Sequence, residues 1–157
     1  MSFHDQIDQE LQRIRAAGSG GPLTATAPNG RLECDMAGVD AIGCSSERFA
    51  FRTGRLAGAS LEELKKIGED LSRRVTYLLE PIAIIEIDAE GITVQLRSNP
   101  PSQDGGVTSY YELNINQDGM TLHRYEARPG QPRQATPANF THEAFKRLAR
   151  DVAAVVP

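Results

Sequence analysis

The chain has 157 residues, 39% of them apolar and 24% charged, with no tryptophan and a formal net charge of −4 at pH 7. These are values of a globular protein long enough to bury a core. Acids and bases are interspersed, so the basic stripe of a general nucleic-acid or anionic-membrane binder is missing, and neither partner is expected. The opening MSFHDQIDQEL has acids where a secretion signal needs bases, and no apolar run has the length of a bilayer-crossing helix. A soluble, cytoplasmic protein is expected.

From Ser2 to Ala17, Phe3, Ile7, Leu11 and Ile14 recur at helical spacing, with Ser2 as N-cap and Gly18 in the C-terminal capping position. The stripe is too narrow to hold a free helix, so it must pack on the body or on a partner. Residues 18–30 are rich in Gly, Pro, Ala and Thr and read as a flexible linker, within which Leu23–Thr26 can pair as a short edge strand. Leu32, Cys34 and Met36 alternate with polar residues, as do Phe49 and Phe51, giving a pair of half-buried strands. The intervening residues 38–47 read as an irregular loop with Val39 and Ile42 turned inward.

Ser60–Leu79 carries the strongest helix signal. Leu61, Leu64, Ile67, Leu71, Val75 and Leu78 form one apolar stripe. Ser60 and Glu63 have capping-box spacing, and Pro81 marks the stop. Four strand candidates follow. Ile82–Asp88 and Ile92–Leu96 make a hairpin across Asp88–Gly91, while Tyr111–Ile115 and Met120–Ala127 make another across Asp118-Gly119. The polar stretch 98–106 is a loop, and residues 127–139 are a second turn-rich segment. Phe140, Thr141 and Phe145 then form a hydrophobic staple around the cap of a last helix, whose stripe is Phe145, Leu148, Val152 and Val155.

The expected fold is α+β: a mostly antiparallel sheet, built from a four-strand meander plus an N-terminal strand pair, with a central amphipathic helix and terminal helices. Residues 1–17 form an N-terminal helical arm, 18–30 a linker and 31–157 a single α+β domain.

If the meander pairs in register, one face carries the inward apolar residues. The other displays Thr93, Gln95, Arg97, Tyr110, Glu112, Asn114, Thr121, His123 and Tyr125. Of these, Gln95, Arg97, Tyr110, Glu112, Asn114, His123 and Tyr125 are the candidate binding residues, set against the plain alternative of a solvated sheet face. His123 beside Glu112, with Tyr125 near, has the composition of an acid–base pair, but no nucleophile accompanies it, so no catalytic residue is assigned. Cys34, Cys44, His4, His123 and His142 lack the compact spacing of a structural zinc site, and neither a Walker-type phosphate loop nor GxGxxG after a strand is present. No metal and no cofactor are expected. The cysteines read as two partly buried thiols. Arg48, Arg52, Arg55, Arg73 and Arg74 are either an anion patch or, more simply, partners of surface acids.

In size, charge and element order, with helices at both ends and a central amphipathic helix, the chain resembles bacterial secretion chaperones that hold effector proteins as dimers. The resemblance extends to no residue motif. It implies a protein partner and a homodimer, and the second of these is also what the N-terminal helix suggests if it docks on a neighbour. The function expected is a non-enzymatic protein-interaction or scaffold protein that self-associates. The alternative is a small-molecule binder or small enzyme working on the sheet face around His123, Glu112 and Tyr125.

Overall fold

The computed structural model describes Met1–Pro157 as an α+β fold of ten strands and three helices. The elements in order are α1 (Phe3–Ala17), β1 (Gly21–Ala27), β2 (Gly30–Val39), β3 (Gly43–Arg52), α2 (Leu61–Arg74), β4 (Ile82–Asp88) and β5 (Thr93–Ser98). They continue with β6 (Ser102–Asp104), β7 (Val107–Asn116), β8 (Gly119–Ala127), β9 (Gln134–Thr136), β10 (Ala138–Thr141) and α3 (His142–Ala154). All pairings are antiparallel, in the order β1-β2-β3-β8-β7-β5-β4. The meander β4-β5-β7-β8 is joined to the N-terminal strands by β3 against β8. That seam is short, running from Phe49 opposite Leu122 to Arg52 opposite Gly119. Beyond it the two strands part, and β10 pairs with the first half of β3 while β9 pairs with the second half of β8.

The three helices share one face of the sheet. α1 packs on β1 and β2, α3 on β3 and β10, and α2 on β4, β5 and β7. The sequence stripes are what they bury: Ile7, Leu11 and Ile14 from α1, Leu64, Ile67 and Leu71 from α2, and Phe145, Leu148 and Val152 from α3. Gly68 lets α2 approach closely, because a β-carbon there would lie 3.1 Å from Cδ1 of Ile84. Phe145 stands edge-on to Phe49, centroids 5.6 Å apart, and so ties α3 to the middle of the sheet.

Helix ends follow local chemistry. Ser2 accepts from the Asp5 N–H, Ser60 from Glu63 and Thr141 from Ala144, at 3.0 to 3.1 Å. Gly18 takes the left-handed conformation, φ +69°, that closes α1. α2 stops at Arg74, not at Leu79 as its apolar period suggests. The β-branched pair Val75-Thr76 weakens the helix, and the next residue is held elsewhere: Tyr77 donates to Asp151 of α3 at 2.7 Å and lies under Arg147. Val75 stays buried as the cap residue, and Leu79 is exposed.

The stretch read as a linker contains β1. Its residues 22, 24 and 26 turn their backbone toward the free edge, and α1 covers that edge. Gln6 both donates to the Thr26 carbonyl and accepts from its N–H, Glu10 accepts from the Thr24 N–H, and Arg13 donates to the Pro22 carbonyl. Spacings of four and three put these side chains on one helical face. α1 therefore docks on its own sheet, which removes the unsatisfied stripe that suggested docking on a neighbour.

Other expectations shift in detail. Residues 38–47 are mostly strand, closed by Asp40 accepting from Ile42 and Gly43, and Ile42 points outward with 80% of its surface exposed. Asn116 faces Gly119, so the two-residue loop is Gln117-Asp118. Gly119, at φ +135°, has no room for a β-carbon against the Phe51 carbonyl. Ile92 lies in the β4–β5 turn at φ +49°, a left-handed conformation costly for a β-branched residue, and still packs on the core. The segment 127–139, read as turns, supplies β9 and the start of β10. No helix is long and apolar enough to cross a membrane.

Candidate functional site

The face away from the helices is built by alternation along β5, β7 and β8. Register sets Gln95 beside Asn114 and Asn114 beside Thr121, then Arg97 beside Glu112 and Glu112 beside His123, with Tyr110 opposite Tyr125. The seven candidate residues thus share one platform. The rings of Tyr110 and Tyr125 are 5.9 Å apart and those of His123 and Tyr125 are 6.1 Å apart, forming an aromatic row.

An eighth residue organises them. Arg133, just before β9, lies over Tyr125 with its guanidinium carbon 3.8 Å from the ring centre. From there it donates to Glu112 Oε2 and to the Tyr110 hydroxyl. Arg97 approaches Glu112 from the other side, Nε at 3.3 Å, and sits over Tyr110. That contact is a charge attraction without hydrogen-bond alignment, since the buried Arg97 Nε has no acceptor in line. Gln95 Nε2 donates to Glu112 Oε1 and to Asn114. Both carboxylate oxygens of Glu112 are therefore occupied, and the residue is only 5% exposed. Burial alone would raise its pKa, but the hydrogen bond and charge of Arg133, helped by Arg97, hold it below the usual carboxylate range. Arg133 has no hydrophobic period to mark it. Its signal in the sequence is the Arg128-Pro129-Gly130 turn, which reverses the chain so that β9 runs back along β8.

This arrangement bears on chemistry. Glu112 is ionised but engaged, which makes it a weak base, and His123 forms no hydrogen bond with it. Burial, then the positive charge of Arg48, lowers the His123 pKa, so the ring is neutral at pH 7. At the β4 end of the platform Ile85, Arg97, Pro101 and Tyr110 border an open cleft of about 390 Å³. Glu112, His123 and Tyr125 line none of the five principal clefts.

A second polar cluster lies on the helix side. Glu80 and Arg124, both at least nine-tenths buried, form a bidentate pair at 2.9 Å and 2.9 Å. Ser98 and Ser102 donate to the same carboxylate at 2.7 and 2.6 Å, and Arg124 stacks 4.3 Å from the centre of the Tyr111 ring. Ser98 also accepts the Tyr111 N–H. The Glu80 carboxylate thus accepts four hydrogen bonds, two from Arg124 and one from each serine, which offset the cost of burying its charge. Sequence reading passed over both residues. The signal was Arg124 standing two positions after Leu122 on the inward period of β8.

The remaining candidates are dispersed. Cys34 and Cys44 are free, buried core residues, and burial raises both thiol pKa values, that of Cys44 to about 12. His4 faces Asp8 on α1, and His142 contacts the Asp40 and Gly43 carbonyls. No group of three or more His, Cys, Asp or Glu side chains is placed to hold a metal ion. Arg48 pairs with Asp35, Arg52 with Glu33, and Arg73 and Arg74 with Asp70, while Arg55 bonds to the Pro157 and Pro28 carbonyls.

Comparison with protein-family models, curated proteins and solved structures returns no match.

Proposed function

We propose that the chain is a non-enzymatic protein-interaction protein. The observation that carries this reading is the unequal finish of the sheet's two edges. β1 is covered by hydrogen bonds from Gln6, Glu10 and Arg13 of α1. At the other end β4 carries Ile85 and Ile87 at 46% and 42% exposure. Beyond Ile82, whose carbonyl accepts from Ser72, no side chain bonds to its backbone. An edge strand with an uncovered backbone and exposed isoleucines can template another chain, and the bulge at Ile85 with the acids Glu86 and Asp88 restricts which chain fits it.

The outer platform supports the same reading. Its acid is engaged by arginines and its histidine is neutral and unpartnered, so it offers a rigid polar-aromatic surface in place of a poised acid–base pair. Turnover or small-molecule binding around His123, Glu112 and Tyr125 is the competing reading, and it needs Arg133 to leave Glu112.

The test is co-purification of the full chain at native abundance from its own cells, with the mass and composition of the complex measured. A stoichiometric complex, with itself or with another protein, is expected. Recovery of the chain alone as a monomer overturns the reading.

A further inference from the structure

The shape of β4 specifies what fits it. Ile84 is opposite Leu96 and Glu86 is opposite Gln95, so Ile85 is the extra residue of a β-bulge. Ile82, Ile84 and Ile87 consequently face the helix side, with Ile87 opposite the buried Val94. Ala83, Ile85, Glu86 and Asp88 face the outer side: Ala83 is opposite Arg97, and Ile85 lines the outer cleft with Arg97 and Tyr110.

Directly opposed residues in an antiparallel pair point to the same face. A strand added to β4 must therefore match the sequence of faces in, out, in, out, out, in, out. β4 itself matches it when reversed about a two-fold axis between Ile85 and Glu86. Ile84 then opposes Ile87 of the second copy, Ile85 opposes Glu86, and Ala83 opposes Asp88. A slip of two residues one way sets inward Ile84 against outward Ile85, and two the other way sets outward Glu86 against inward Ile87. A slip of one sets Ile84 or Ile87 against an outward residue. Among registers that overlap along most of the strand, the bulge thus leaves one for self-pairing.

That register is also complementary in chemistry. On the helix side the second copy's Ile87 meets Ile84, beside a cleft bordered by Lys65, Glu69, Ser72 and Arg73. On the outer side the second copy's Asp88 arrives next to the small, uncharged Ala83 and its Glu86 next to Ile85, so no acid directly opposes another. A stable interface buries about 800 Å² on each partner, more than a short edge strand offers alone. The flank of α2 beside Ile84 supplies the further surface.

We propose that β4 pairs antiparallel with β4 of a second copy, in this register, to form one continuous sheet across a two-fold dimer. The inference rests on the interaction reading above and adds the partner and the register.

Light scattering on the purified full chain at sub-millimolar concentration tests it. The expected mass is twice the 17.1 kDa of the chain. Ile87→Lys, a change at an exposed position that leaves the circular dichroism spectrum native, is expected to weaken association about tenfold or more. The double variant Ala83→Cys/Asp88→Cys is expected to give a reducible covalent dimer, because positions 83 and 88 of one chain lie about 17 Å apart and cannot bridge within it. A wild-type monomer overturns the proposal, as does a dimer that Ile87→Lys leaves intact and the cysteine pair does not cross-link. A monomeric chain that still co-purifies in a stoichiometric complex with another protein overturns β4 self-pairing alone and leaves the interaction reading standing.

Discussion

Glu80 and Arg124 meet through two parallel hydrogen bonds of 2.9 Å beneath the helix layer, one residue before the proline that opens β4 and five residues into β8. The pair fastens the start of the meander to its last strand. Removing one partner leaves a buried charge unpaired, so Arg124→Ala is expected to destabilise the protein by about 3 to 5 kcal/mol. Denaturant unfolding measures the loss. A loss below about 1 kcal/mol contradicts the satisfied, buried geometry.

The same pair sets a pH dependence. Burial opposes ionisation of Glu80, but Arg124, Ser102 and Ser98 outweigh it and lower the folded-state pKa. A carboxyl whose folded pKa is below its unfolded value of about 4.3 stabilises fully above that value, and the contribution disappears as pH falls through the folded pKa. Stability of the wild type is therefore expected to fall more steeply below pH 4.3 than that of Glu80→Gln. Thermal midpoints measured from pH 6 down to pH 3 make the comparison.

Arg133→Ala is expected to uncover Glu112 without unfolding the protein. The carboxylate loses its strongest hydrogen bond, and its pKa rises toward the ordinary range. Carbon-13 NMR of the side-chain carboxyl reads that shift. The stability cost is expected to be about 1 to 2 kcal/mol, the scale of a charge-assisted bond discounted for the partial exposure of the arginine. A Glu112 pKa unchanged in the variant shows that Arg97 alone holds the charge.

Leu71, fully buried at the centre of α2, is expected to cost about 2 to 5 kcal/mol when replaced by alanine, through lost burial and a residual cavity. An unfolding midpoint equal to the wild type contradicts the packing of α2 on β4, β5 and β7.

Deleting residues 1–18 removes both the buried Ile7, Leu11 and Ile14 and the hydrogen bonds that cover β1. The truncated chain is expected to melt at lower temperature and to form larger species by light scattering, because a second edge strand becomes available. A truncated chain smaller in assembly size than the full one indicates instead that α1 bridges two copies.

What was legible in the sequence was whatever repeats with a period. The stripes of α1, α2 and α3, the inward face of the meander and the residues sharing its outer face all follow from spacings of 3.6 and 2. Single residues that act over distance carry no period. Arg133 reaches Glu112 only because a turn reverses the chain, and although Arg124 stands on the inward period of β8, nothing local marks Glu80, 44 positions earlier, as its partner. The short strands β9 and β10 escaped for a related reason: neither alternates long enough to rise above its prolines. They form because β3 and β8 diverge and leave backbone groups to be paired. Within residues 18–30 the edge strand legible at Leu23–Thr26 extends over Gly21–Ala27, because Gly, Pro and Thr also suit an edge strand whose outer groups a helix has bonded.

The parting of β3 and β8 also orders events during synthesis. Phe49 and the first half of β3 emerge from the ribosome early, but β10, Phe140 and Phe145, which close over them, are made roughly ninety residues later. Until that final stretch clears the exit tunnel the strand pair β2-β3 keeps both an unpaired margin and an uncovered aromatic. The nascent chain is therefore open to misassociation while the roughly ninety residues between β3 and α3 are made, and what ends that exposure is the arrival of α3.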